Sequence, residues 1–446
     1  MKKTLLFAAF AAAALVSCSK DQVVDVHKDE IKFSVVTDNA TKATNLYCAN
    51  NMHNQFTLWA TYATLDTDND NLADAGIKPY IINDNIKYST ETSKWVNTAG
   101  NRYWPDAAEV DFYAVTGLND ASQFTMTTDE SGYITGAKIV DFQVAGPVKN
   151  QVDLMYATSY DLNKADNGDD DVKLNFRHAL SQVVFKAKNT NENLYIEIDG
   201  VAVNNVKSKG TYVFSNSDDT HFNWVNHSES GNTDDLGYNS NDIGEYINSL
   251  GTWESIVDGM TTTFGVDFET TIQVPFGGVT NLTDRSSTHN NSNINAENVM
   301  LMIPQDLTAW DPTSAPAPFA DGNDGTFFTL ACKIYNVVDK NQPLRNNDGS
   351  LNMNNLVLVW GDVTNNAEGT GVAHVSKQIA VPTPGTKWVE GRKYEYTFVF
   401  DTNTNGGWDP NPGPGTTDPK PALVPIKLEV TVDDFMLKHS FSNLFK

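Results

Sequence analysis

The sequence predicts an all-β protein built of antiparallel sandwiches with long polar loops, and two observations carry this prediction. Apolar residues alternate with polar ones along many short segments; the segment Tyr394 to Phe400 places four aromatic residues on one face. No segment beyond the N-terminal leader shows a sustained helical stripe of apolar residues with caps. Clusters of Asn, Asp, Gly and Ser bound the predicted strands and mark the loops.

The N-terminal segment is typical of an exported lipoprotein. Two lysines, Lys2 and Lys3, precede an apolar run that is too short to span a bilayer and ends at Leu15-Val16-Ser17-Cys18. This tetrapeptide resembles a bacterial lipobox, so we expect residues 1–17 to be a signal peptide and Cys18 to carry lipid. The alternative is an ordinary secretory signal that is cut near Ala14.

Polar linkers divide the rest of the 446-residue chain, which is long enough for two domains. We expect a lipidated segment with a removable strand over 18–44, an N-terminal β-sandwich over 45–165 and a C-terminal β-sandwich over 166–446. The last of these includes insertions, and its Gly/Pro-rich linker, Asn405 to Pro421, precedes a strongly amphipathic strand, Ile426 to Asp433.

Composition excludes several classes of function. The formal net charge of −25 argues against nucleic-acid binding and against adhesion to anionic lipid head groups. No His/Cys spacing for a metal, no phosphate loop and no nucleophile motif occurs, so we expect no metal, no cofactor and no catalysis. Alternation predicts that Cys332 faces a core. We favour unpaired thiols at Cys48 and Cys332, although a disulfide between them stays open.

Several short motifs, in a fixed order, resemble those of the fimbrillin-like proteins, which are lipoprotein precursors of type V pili and their relatives in Gram-negative gut and oral bacteria. The strand Phe176-Arg177-His178-Ala179-Leu180-Ser181-Gln182-Val183-Val184-Phe185 resembles that family's F-x-H-A-L-S-x-V-x-F segment. The other matching segments are Tyr103-Trp104-Pro105 with Val110-Asp111-Phe112-Tyr113-Ala114, Asp153-Leu154-Met155-Tyr156-Ala157, Met302-Ile303-Pro304-Gln305, and Trp388 to Tyr396.

The resemblance implies two tandem transthyretin-like β-sandwiches and a role in assembly. In that family a protease removes an N-terminal strand from the precursor, and a donor strand of the next subunit fills the vacated groove. In this chain Ile31, Phe33 and Val35 would form the buried face of the removable strand. Processing would fall between Lys42 and Ala43.

The processing site departs from the family pattern. The family's protease prefers arginine, and the first arginine here is Arg102, where a cut would remove core material. The sequence therefore leaves two alternatives: the protease accepts Lys42, or the precursor is never cut.

The predicted donor face consists of Ile426, Leu428, Val430 and Val432. The same pattern fits the last strand of the chain's own C-terminal sandwich, and this alternative is slightly favoured. His178 is interpreted as a packing and hydrogen-bonding residue, since no nucleophile adjoins it.

The sequence therefore predicts a fimbrial subunit or an accessory or tip adhesin. Its expected partners are other pilus subunits, the outer-membrane lipid that holds Cys18, a processing protease and a host or glycan ligand. We expect an outer-membrane precursor that later belongs to the cell-surface fimbrium. The alternative is a monomeric surface lipoprotein that binds glycan or host ligand through tryptophans such as Trp224, Trp253, Trp310 and Trp408.

Overall fold

The structure is a computed structural model that confirms the all-β class. The arrangement as two transthyretin-like sandwiches stays a prediction. The described residues are 29–37, 40–41, 46–47, 52–64, 76–145, 148, 151–214, 223–225, 264–283, 299–314, 318, 325–365, 372–401, 406–410, 419–422, 424 and 426–434.

The described residues form 28 strands. In chain order they are β1 Phe33–Thr37, β2 Ala40–Thr41, β3 Leu46–Tyr47, β4 Met52–His53, β5 Gln55–Thr64, β6 Lys78–Ser89, β7 Lys94–Asn97, β8 Ala108–Thr116, β9 Phe124–Thr128, β10 Ile134–Gln143, β11 Met155–Asn163, β12 Val172–His178, β13 Ser181–Asn189, β14 Leu194–Asn204, β15 Lys209–Val213, β16 Asn223–Val225, β17 Phe264–Val274, β18 Val279–Asn281, β19 Met300–Met302, β20 Phe327–Val337, β21 Leu356–Trp360, β22 Asp362–Asn365, β23 Val372–Val375, β24 Lys377–Pro382, β25 Arg392–Phe400, β26 Trp408–Asp409, β27 Lys420–Pro421 and β28 Ile426–Asp434.

Helical structure in the described residues is confined to two short pieces, a 3-10 turn at Ala121–Gln123 and the helix α1, Lys164–Asn167. The side chain of Asn163 caps α1 by accepting a hydrogen bond from the backbone N–H of Asp166 at 3.0 Å. The helix lies between β11 and β12, in a segment that the sequence marks as a polar linker. No helix in the described part of the chain is long and apolar enough to cross a membrane.

The first sheet closes on itself. Its strands follow the order β12-β11-β8-β5-β6-β7-β1, and β1 pairs again with β12, so seven strands form a ring. The ring includes β12, which comes after residue 165 in the chain. Closing the ring removes the exposed edges that an open sheet would present.

A separate hydrophobic core fills the ring. Its buried aromatic side chains include Phe56 and Phe112, which are 2% and 0% exposed. Side chains from every strand of the ring contribute to the core, because successive residues of a strand point alternately inward and outward. The core therefore depends on β1 as much as on the long central strands.

The rest of the described chain forms a larger, continuous core between further sheets. Two sheets contribute most of it: β18-β13-β25-β28, and β17-β14-β20-β24 with its extensions. The four aromatic residues predicted to share a face of β25 are all buried, and Cys332 is fully buried, which confirms that it faces a core. Cys48 lies outside the described residues.

Candidate functional site

Strand β1 closes the ring with very unequal pairing on its two sides. It runs parallel to β12 over five positions, from Phe33 opposite Val172 to Thr37 opposite Phe176. On its other side β1 meets β7 at a single pair, Phe33 with Trp95. The ladder between β1 and β7 is therefore the least continuous junction of the ring.

The inner face of β1 carries the three apolar residues that the sequence assigns to it. Ile31, Phe33 and Val35 are 5%, 6% and 1% exposed. The ring of Phe33 packs edge-on against Phe56 and Phe112, with centroid distances of 6.5 and 6.0 Å. Without β1, those aromatic side chains would face an open groove between β7 and β12.

A cavity of about 370 Å³ lies beside β1, along its junction with β7. Its lining includes Phe33 and Ser34 from β1 and Lys94 and Trp95 from β7. It occupies the stretch where the two strands no longer pair in register. The junction therefore already has space beside the backbone of β1.

The chain just before β1 is fastened to the segment that follows β7. The N–H of Ile31 donates to the carbonyl of Arg102 at 2.8 Å, and the N–H of Trp104 donates to the carbonyl of Asp29 at 2.8 Å. The Arg102 guanidinium also holds the buried carboxylate of Asp84, with N–O distances of 2.7 and 2.8 Å. Burial raises the pKa of Asp84, but the bonds from Arg102 and Asn97 more than offset it and leave the pKa below its usual value.

Arg102 is thus part of the ring wall. Strands β1, β5, β6 and β7 all precede it in the chain. A cut after Arg102 would therefore detach four of the seven strands of the ring. The predicted processing site, Lys42 with Ala43, and the predicted lipid attachment at Cys18 both lie outside the described residues.

The predicted donor strand, β28, pairs with β25 in antiparallel register over nine positions, from Ile426 opposite Phe400 to Asp434 opposite Arg392. In the described part of the chain, it pairs with no other strand. Its apolar face is buried at one end only, and the exposure of its members increases along the strand: Ile426 is 0% exposed, Leu428 is half-buried, Val430 is 36% exposed and Val432 is 49% exposed.

His178 lies at the end of β12, where the ring leads into the larger core. Its Nδ1 is 2.5 Å from the Oδ2 of Asp153, and both side chains are buried. The two residues come from two of the sequence motifs, and β11 and β12 bring those motifs together by pairing Met155 with His178. The geometry agrees with a packing and hydrogen-bonding residue.

Sequence reasoning did not single out Glu390, whose carboxyl lies at the same junction. Tyr156 of β11 donates a hydrogen bond to its Oε1 at 3.3 Å. Burial raises the pKa of Glu390 to about 7, although bonds from Tyr156 and Tyr212 act in the opposite direction. Glu390 and Tyr156 both lie in segments that match family motifs, which could have drawn attention to them. The motifs do not indicate, however, that the two residues are in contact.

Two other expectations can be placed on the structure. Trp310 is 1% exposed and packs edge-on against Trp408 at 6.0 Å, so Trp310 cannot stack on a sugar in this conformation. Within the described ranges, no group of three or more His, Cys, Asp or Glu side chains could hold a metal ion.

Comparison with protein families gives a match over most of the chain. The model of a family described as Fimbrillin-like matches residues 29–411. A search of curated proteins gives no match. The matched region begins just before β1 and ends before β28.

Solved structures provide a second comparison. A fimbrial protein from Bacteroides vulgatus is similar, with a TM-score of 0.50 and 13% sequence identity over 92% of this chain and 100% of that chain. The tip fimbrial protein Mfa3 from Porphyromonas gingivalis, with a C-terminal truncation, gives a TM-score of 0.28 and 10% identity over 87% of this chain and 97% of that chain. The first likeness supports the fold, and the second carries no further argument.

Proposed function

This chain belongs to the fimbrillin-like family, and from that membership we propose that it is a cell-surface pilus subunit or accessory adhesin that assembles by β-strand exchange. The family supports association with other pilus subunits and a location at the cell surface. It also suggests a structural protein rather than an enzyme. Lipid anchoring, processing and the identity of the exchanged strands are the finer parts of the proposal.

The observation that carries the proposal is the position of β1 in the ring. It is the first strand of the ring, it closes the sheet, and it pairs with β7 at only one position. Because nothing in the ring precedes it in the chain, its removal would leave the other six strands covalently continuous. A short N-terminal strand is therefore separable in a way that a central strand is not.

The groove left by β1 would strongly favour a replacement strand. Ile31, Phe33 and Val35 are buried, and burying one such side chain contributes about 1.5–3 kcal/mol. The unpaired backbone of β12 would also need a partner, because a buried N–H or C=O without one is costly. Both demands are met by a second extended strand with alternating apolar residues.

The proposed lipid attachment and the proposed cleavage site both come from the sequence. In the proposal, Cys18 ties the precursor to the outer membrane, and cleavage between Lys42 and Ala43 releases both the lipid and β1. A precursor that is never cut would keep its own β1 and remain an anchored subunit.

The proposed donor is β28, through Ile426, Leu428, Val430 and Val432. In the monomer this strand pairs with β25, so donation requires that β28 leave its own sheet. The exposure of Val430 and Val432 favours such a departure. In the sheet with β25 these two side chains bury less apolar surface than they would in the groove left by β1.

The test is to isolate the protein from the cell surface and to determine its N-terminal residue and its state of association. The proposal expects polymers whose subunits begin at Ala43, and monomers when residues 424–446 are deleted. Circular dichroism of the deletion variant should show the fold retained. A uniformly monomeric wild-type protein that binds a glycan array would instead favour the ligand-binding alternative.

A further inference from the structure

One position on the outer face of β1 is flanked by two lysines. Ser34 lies directly opposite Lys173 in the parallel register with β12. On its other side, Ser34 lies one position beyond the Phe33–Trp95 pair and lines the same cavity as Lys94. Lys94 and Lys173 are exposed, and Ser34 is half-buried. The residue at the Ser34 position therefore has Lys173 opposite it on β12 and shares a cavity with Lys94 of β7.

These lysines are uncompensated in the described structure. Neither Lys94 nor Lys173 forms an ion pair with any residue that the structure describes, and Ser34 brings no charge to the position between them. Asp171 lines the same cavity as Lys94 and Ser34, but it forms no ion pair with either lysine in the described structure. An acidic side chain at the Ser34 position would complement both.

Strand β28 carries such a side chain within the same pattern as β1. The segments Ile31-Lys32-Phe33-Ser34-Val35 and Ile426-Lys427-Leu428-Glu429-Val430 align without a gap. The isoleucine, the lysine and the valine are identical, and leucine replaces phenylalanine. The remaining difference puts Glu429 in the place of Ser34. In its own sheet Glu429 is exposed, and its carboxylate lies 3.1 Å from Lys427 of the same strand.

We propose that the groove recognises β28 of a second copy of this chain by charge, with Glu429 seated between Lys94 and Lys173. This inference rests on the proposed strand exchange and adds the direction, register and recognition residues to it. The entering strand runs parallel to β12, as β1 does. Ile426, Leu428 and Val430 take the places of the three buried residues of β1.

Charge also fixes the register. A slip of one residue would turn the apolar face of β28 outward, so only even slips keep that face buried. A slip of two residues one way brings Lys427 between Lys94 and Lys173, and like charges at directly opposed positions are unfavourable. A slip of two the other way brings Thr431 there, which leaves both lysines uncompensated. One register alone satisfies the apolar face and the lysines together.

Charge-reversal variants test the inference. Each variant is the full chain and is expressed in the cells that assemble the protein. The variants are Glu429→Lys, the pair Lys94→Glu with Lys173→Glu, and all three substitutions combined. The polymer fraction of shed protein is measured by size-exclusion chromatography. We expect about a tenfold loss of polymer for the first two variants, because each replaces two favourable contacts by two unfavourable ones. The triple variant should recover to within about twofold of the wild type.

The matched control is Asp433→Lys, which makes the same change of charge on the same face of β28 beyond the aligned segment. It should assemble as the wild type does. A Glu429→Lys protein that polymerises normally, or a triple variant as defective as Glu429→Lys, would overturn the inference while the wild-type polymers keep strand exchange intact. If the wild type exchanges no strand at all, the proposed function fails as well.

A disulfide trap tests the register separately. Mixed chains that carry Lys94→Cys and Glu429→Cys should form an intermolecular disulfide, because neighbouring positions on paired strands lie within bridging distance. Chains with Lys94→Cys and Asp433→Cys should not. The opposite result would mean that β28 enters in another register.

Discussion

Replacing Glu390 by glutamine should stabilise the protein at pH 8 and have far less effect at pH 4.5. The side chain lies in the loop before β25, with the Tyr156 hydroxyl 3.3 Å from its Oε1. Burial raises the pKa of Glu390 from 4.5 to about 7, so the folded protein resists ionising this group.

The sign and size of the effect follow from that shift. Below pH 4.5 the Glu390 carboxyl is protonated in the folded and the unfolded chain, so it does not lower the free energy of unfolding. As the pH rises from 4.5 to 7, the unfolded chain loses the proton first, so the free energy of unfolding falls; above pH 7 the loss is complete. At about 1.4 kcal/mol per pKa unit, the loss is at most about 3–4 kcal/mol. Because the side chain is only half-buried, we expect about 1–3 kcal/mol.

Urea unfolding between pH 4.5 and 8.5, followed by tryptophan fluorescence, measures this effect. Trp388 is fully buried two residues from Glu390 and reports on the same loop. The difference in stability between Glu390→Gln and wild type should grow with pH from 4.5 to about 7 and then level off. The control is Glu130→Gln, on an exposed turn. A difference that stays constant with pH would refute the reasoning, since a pH-independent offset reflects only the change of group.

Three further substitutions test the packing and the junction. Phe33→Ala should lower the free energy of unfolding by about 3–5 kcal/mol, whereas Lys32→Ala on the outer face should change it by less than about 0.5, and equal effects in denaturant titrations would contradict the burial of β1. Gly117→Ala should cost at least about 2 kcal/mol, seen as a lower melting temperature, because a Cβ there would lie 2.1 Å from the carbonyl oxygen of Asp153 at a φ of +88°. Asp153→Ala should cost about 1–3 kcal/mol in the same melting assay by leaving His178 without the carboxylate at 2.5 Å, and an unchanged melting temperature would show that the pair contributes nothing.

Local alternation was enough to identify individual strands and the faces that they bury. The aromatic face of β25 and the inner face of β1 follow directly from period-two patterning, because side chains on a strand point alternately to its two sides. The same reasoning placed Cys332 in a core. These predictions need no knowledge of which strands are neighbours.

Local patterning could not predict which strands pair with each other. The parallel pairing of β1 with β12 joins segments more than 130 residues apart, and nothing in either segment specifies the other. The contact of Glu390 with Tyr156 is of the same kind, since its residues are 234 positions apart. The segments that contain Glu390 and Tyr156 both match family motifs, but the motifs do not show that the two segments are in contact.

The sequence by itself determined the fold class, the lipoprotein-like leader, the acidic character and the family resemblance, because each depends on composition or on a short local pattern. Only the tertiary structure showed that β1 closes a ring, that one side of it is nearly unpaired, and that Ser34 lies opposite Lys173 and lines the same cavity as Lys94. The physical reason is that a strand's pattern fixes which side chains point inward, whereas pairing and register depend on distant segments that compete for the same backbone hydrogen bonds.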